Sequence, residues 1–190
     1  MDHRSAARFP SGRLVIVLLV ATAIFWAVLF FVTVAQLQIL ANGAEPFDAR
    51  WMGYSFDDAQ KYLATLGPEG RAYYLVPELL LDTFFPPLYA ASSVLALWWL
   101  TEPGRMTDEG MAVGWRWMLI APPVAGLIFD WAENSGIAWM LWSWPELSPA
   151  LVRASSLATQ LKLAAAVVTE ISLIVLAAVA LLRRSKAVRA

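Results

Sequence analysis

From Leu14 to Leu40 the chain carries no charged side chain. As a helix these about 27 residues would reach about 40 Å, and a bilayer core needs only about 20 apolar residues to be crossed. Arg4, Arg8 and Arg13 precede the run and Ala41-Asn42-Gly43-Ala44 follows it, a pattern with the flanks of a secretory leader. The apolar length is well beyond the about 7–15 residues of such a leader, so the run reads as a retained helix. Three further apolar windows lie at about 73–100, 115–142 and 151–182. With 59% hydrophobic and 15% charged residues and a mean hydropathy of +0.59, the chain falls outside the range of soluble domains. The expected fold is all-α: a polytopic membrane protein, a four-helix transmembrane bundle forming one domain over residues 1–190.

Basic residues set the expected orientation. Arg4, Arg8 and Arg13 mark one tail, Arg183, Arg184, Lys186 and Arg189 the other, and Arg105 and Arg116 the link between the second and third windows. The segment between the first two windows is acidic on balance, with Glu45, Asp48, Asp57, Asp58 and Glu69 against Arg50, Lys61 and Arg71. The positive-inside bias then places both termini in the cytoplasm, in a multi-pass inner (plasma) membrane protein. Within the acidic segment, Ser55 followed by Asp58 resembles a capping box. Phe56, Ala59, Tyr62, Leu63 and Leu66 recur at helical spacing until Gly67-Pro68. This predicts a short outer amphipathic helix that lies at the interface or closes over a cavity.

The helices are not uniformly apolar. Asp130-x-x-Glu133-Asn134 lies in the middle of the third window, Glu78 and Asp82 in the second, Thr159, Lys162 and Glu170 in the fourth. A carboxylate at a helix centre costs about 2.5–3.5 kcal/mol on insertion scales. Interfacial tryptophans provide a ruler: Trp117 to Trp142 spans about 37 Å, which puts Asp130 near its midpoint. Tyr73-Tyr74 and Trp98-Trp99 as markers in the second window, and Arg153 and Arg183 bracketing the fourth, bring Asp82, Asp130, Glu133 and Lys162 into a slab about 10 Å thick. Asp82, Asp130, Glu133 and Glu170 offer four carboxyls against the one ammonium of Lys162. Crowded like charges favour the neutral acid, so either one of these acids holds a proton at neutral pH or a cation sits among them.

Chemistry is narrowed by what is missing. There is no cysteine, and the single histidine is His3 in the N-terminal tail, which excludes thiolate catalysis and histidine-held haem or zinc in the bundle. No cofactor and no metal is assigned; a bound metal would have to be a hard ion with oxygen ligands. A formal net charge of −1 gives no field for nucleic acid. P-loop, GxGxxG, HExxH and GxSxG motifs do not occur. Pro86-Pro87 and Pro122-Pro123 remove backbone donors, freeing the carbonyls of Asp82 and Thr83 in one helix and of Met118 and Leu119 in the other.

Tyr54-Ser55, Leu66-Gly67-Pro68-Glu69-Gly70-Arg71, Asp82 with Phe85-Pro86 and Tyr89, Asp130-x-x-Glu133-Asn134 and Thr159-x-x-Lys162 together make a pattern. It resembles a group of small four-helix bacterial membrane proteins to which no activity is attached. The resemblance covers most of the chain and implies a fold but no function. In helix count and acidic midplane the chain is also distantly similar to the sterol-isomerase and sigma-2-receptor superfamily, in architecture and not in specific residues.

The expected site therefore comprises Asp130, Glu133, Asp82 and Lys162 as proton donors and orienting groups. Asn134, Thr159, Glu78 and Trp131 are the expected ligand contacts. The first expectation is binding or processing of a membrane lipid or lipophilic small molecule, with Asp130 or Glu133 as the donor. The alternatives are proton-coupled transport along Glu78, Asp82, Glu133, Asp130 and Glu170, which would need a homo-oligomer, and a structural or assembly role in a membrane complex.

Overall fold

The computed structural model describes residues 10–105 and 111–189, without the side chains of Val113 and of residues 186–189. The expected basic flanks at Arg4 and Arg8, His3, and the side chains of Lys186 and Arg189 lie outside the described residues. The chain is all-helical, with no strand among the described residues. Six α-helices, α1 (Gly12–Val28), α2 (Ala35–Leu40), α3 (Phe56–Tyr73), α4 (Leu79–Leu100), α5 (Val113–Ser143) and α6 (Pro149–Arg189), run together as four long helical segments. A π turn, Leu29–Val34, joins α1 to α2, and a second, Tyr74–Glu78, joins α3 to α4.

Among the described residues three segments are long and apolar enough to cross a membrane: Gly12–Leu40, Phe56–Leu100 and Pro149–Ser185. The fourth, α5, is long enough at 31 residues but does not join them on apolarity. The expected third span is thus a helix diluted by Pro122, Pro123, Asp130, Glu133 and Asn134. α5 packs along α6 and α4, and α4 also holds α1, so α4 and α5 form the inner pair. α1 makes no comparably packed interface with α5 or α6.

Gly136 explains how closely α5 and α6 approach. A Cβ there would lie 2.8 Å from both Cβ and Oγ of Ser155, so the absent side chain lets the two backbones close. The densest apolar packing sits at the end of the bundle covered by residues 41–73. There Phe47, fully buried, inserts among Tyr54, Tyr62 and Tyr74 at ring separations of 4.6, 4.9 and 6.2 Å. Ala59, Tyr62, Leu63 and Leu66 of α3 join this core with Ile137, Met140 and Val152. The expected amphipathic helix is therefore a packed cap on the bundle end. Its start is a complete capping box, Asp58 N–H donating to Ser55 Oγ at 3.1 Å and Ser55 N–H donating to Asp58 Oδ2 at 2.9 Å.

Gly67, at φ 66° and ψ 178°, breaks the helix inside α3, in the left-handed half of the map that glycine adopts freely. Pro68 restarts it, and Arg71 Nη1 donates to the Leu63 carbonyl at 2.7 Å across the break. By contrast α4 and α5 run as continuous helices through their proline pairs. Pro77 falls in the second π turn, a wider turn that absorbs an extra residue.

Candidate functional site

The polar residues of the helix interiors converge. Asn134 Nδ2 donates to Asp82 Oδ2 at 3.0 Å and to Asp130 Oδ1 at 3.1 Å, joining α4 to α5. Lys162 from α6 stands 3.7 Å from Asp130 Oδ1 and forms an ion pair with Glu133. Thr159, one turn before Lys162, donates to Glu133 Oε1 at 2.6 Å. Periodicity accounts for this: Asp130, Glu133 and Asn134 share one face of α5 by i, i+3, i+4 spacing, and Thr159 and Lys162 share one face of α6.

Within this centre the roles separate. Glu133 is fully buried and does not line the adjoining cavity, whereas Asp82, Asp130 and Lys162 do. Glu133 thus holds Lys162 from behind, and Thr159 holds Glu133. The Ser155 hydroxyl reaches the Glu133 carbonyl at 3.4 Å, and Tyr54 donates to Ser155 Oγ at 2.8 Å, so the capping segment is wired to the same spot. Burial pushes the Tyr54 phenol above its usual value of 10.0, so it remains a hydrogen-bond donor at any ordinary pH. The expected acid–base pairing takes a particular form: Lys162 pairs with Asp130 and Glu133, and Asp82 is tied to them through Asn134.

Trp131 does not point into this centre. Its indole N–H donates to the Thr83 carbonyl at 3.1 Å, the carbonyl that Pro87 leaves without its helical partner, while the ring stays exposed. Trp131 and Asn134 border a separate apolar hollow of about 650 Å³ on the other side of the α4–α5 contact. The Asn134 Oδ1 is buried with no hydrogen-bond partner among the described residues.

The main cavity, about 750 Å³, lies between α1, α4, α5 and α6. One end carries Asp48, Glu78, Asp82, Asp130 and Lys162; Leu29, Phe85, Leu127 and Leu163 make apolar wall. The far end carries Glu170, which is exposed and accepts a hydrogen bond from Tyr89 at 3.0 Å. The mouth opens where α1 and α6 fail to pack, flanked by the exposed side chains of Leu19, Trp26 and Phe30. Across α1 and α4, Thr22 donates to Ser92 Oγ at 3.0 Å and helps hold α1 in place.

Asp48 is the site residue that sequence reasoning passed over. It sits in the 3-10 turn Phe47–Ala49, where no helical period marks it, and reads as one more acid of a charged link. Tyr74, fully buried, pulls it in: the phenol donates to Asp48 Oδ1 at 2.9 Å and accepts the Phe47 N–H at 3.2 Å. An apolar Phe47 beside an acid, facing a tyrosine at a helix end, is the signal that was present. No protein-family profile, no curated protein and no solved structure matches this chain.

Proposed function

We propose that the protein is an integral membrane protein whose lateral cavity binds an amphiphile, a membrane lipid or lipophilic small molecule, with its polar head at Asp82, Asp130 and Lys162. The observation that carries this reading is the cavity itself: about 750 Å³, mostly apolar along its walls, with Asp82, Asp130 and Lys162 at one end and Glu170 at the other, and a gap where α1 and α6 do not pack. Exposed apolar side chains along α1 and α6, among them Ile16, Val20, Ile24, Val167, Ile171 and Ile174, support placement of that mouth against lipid.

Energetics favour recognition through the head. A tail moving from bilayer to cavity exchanges one apolar surrounding for another and gains little. Discrimination must therefore come from polar contacts made in a poorly solvated place. Lys162 is engaged by Glu133 and Asp130, so the groups left facing the cavity are mainly acceptors. The fitting head is neutral or cationic and donates hydrogen bonds, such as a hydroxyl or an amine. A phosphate or carboxylate would meet like charge. Asp130, on the cavity wall, is the principal contact, and Glu133 positions Lys162.

Asp130→Asn removes the charge while preserving shape and the contact with Asn134. The bound amphiphile should fall to background in the variant, read by mass spectrometry of lipids extracted from purified protein, with the elution profile unchanged. Identical lipid profiles in wild type and variant would sink the assignment.

A further inference from the structure

Beside the Asp130–Lys162 centre lies a second group of acids. Asp48, Glu78 and Asp82 each present a carboxylate oxygen, and the three oxygens lie within 4.8 Å of one another. They come from different elements: the 3-10 turn, the end of the second π turn and the first turn of α4. The donors near them are few. Tyr74 serves Asp48, Asn134 serves Asp82, and the ion pairs of Lys162 go to Asp130 and Glu133. Glu78 is 1% exposed and lines the cavity, yet its Oε2 is buried with no hydrogen-bond partner among the described residues. A carboxylate so placed is strongly disfavoured unless something positive reaches it.

We infer that Asp48, Glu78 and Asp82 form a binding site for a divalent, oxygen-preferring cation such as Ca²⁺. Ca²⁺ takes oxygens at about 2.3–2.6 Å, so oxygens on opposite sides of one ion stand about 5 Å apart, the scale of this cluster. An all-carboxylate set suits hard ions and disfavours those that seek nitrogen or sulfur. Glu78 and Asp82, one helical turn apart, supply the rigid half of the site. Asp48 supplies the other half from the capping loop, so the ion fastens cap to bundle. Asp48 is half-exposed and borders the cavity, which leaves the ion a route in. The site shares Asp82 with the head contacts proposed above and takes its other two ligands, Asp48 and Glu78, from outside them.

The test uses the full chain in detergent, stripped with EDTA and desalted. Titration with Ca²⁺ by calorimetry, and with Mn²⁺ by electron paramagnetic resonance, should show saturable binding of one ion per chain. Ca²⁺ should raise the thermal transition, and both Asp48→Asn and Glu78→Gln should weaken binding about tenfold or more, because ligand charge sets affinity. Asp48→Asn changes only a loop position, so it reports even where Glu78→Gln fails to fold. Wild-type protein that shows no saturable binding of either ion overturns the site. So does unchanged affinity in the Asp48→Asn variant. Amphiphile retention by the same wild-type sample is read separately and decides only the cavity reading.

Discussion

Lys162→Met destabilises the bundle by about 3–5 kcal/mol, the cost of removing one partner from a buried ion pair. The cause is specific. Lys162 is the ion-pair partner of both Glu133 and Asp130, and its side chain is only 11% exposed. Methionine keeps the volume of the stem and removes the ammonium, leaving Glu133, which is fully buried, to face an apolar neighbour. The second half of the prediction separates charge from packing. Glu133→Gln combined with Lys162→Met removes the ammonium and the fully buried carboxylate together, keeps the acceptor for the Thr159 hydroxyl, and should recover part of the loss, with Asp130 at the cavity wall the one partner left without its ammonium. Thermal unfolding in detergent, followed by tryptophan fluorescence, measures all three variants. A Lys162→Met chain as stable as wild type would show that the ammonium is dispensable to the fold.

Narrowing the cavity should remove the proposed amphiphile without touching the acids. Ala166 on α6 and Ala23 on α1 face the cavity from its two walls. Ala166→Trp, and independently Ala23→Trp, place a large ring in the space a tail would occupy. The bound amphiphile should drop about tenfold or more, equivalent to about 1.4 kcal/mol or more of lost affinity. The polar centre stays intact in both variants, so stability should change far less than with Lys162→Met. Lipid extraction followed by mass spectrometry supplies the first reading and thermal unfolding the second. Full retention of the amphiphile in both variants would mean that it sits elsewhere.

Much of this arrangement was legible in the residues. Helix positions follow from apolar length, and the expected windows at 14–40 and 115–142 fall within a few residues of Gly12–Leu40 and Val113–Ser143. The depth ruler of interfacial aromatics and flanking arginines puts Asp82, Asp130, Glu133 and Lys162 within a slab of about 10 Å, and these side chains do meet, because helical rise converts sequence position into height. Height does not give azimuth. The ruler therefore did not reveal that Asn134 would bridge the two aspartates, that Glu133 would lie behind Lys162, or that Trp131 would turn away toward the Thr83 carbonyl. Asp48 was harder still. A loop has no period, and its inward placement depends on Tyr74 and Phe47, contacts made across 26 and 27 residues of chain.

The most direct measurement exploits two adjacent residues. Phe84 is 60% exposed and points away from the cavity, whereas Phe85 forms part of its wall. A photo-crosslinking phenylalanine analogue at each position, activated in native membranes, reports what each side chain touches. Position 85 should capture a restricted set of amphiphiles bearing hydroxyl or amine heads, while position 84 should capture the bulk lipid mixture. The same lipid distribution at both positions would contradict the cavity reading.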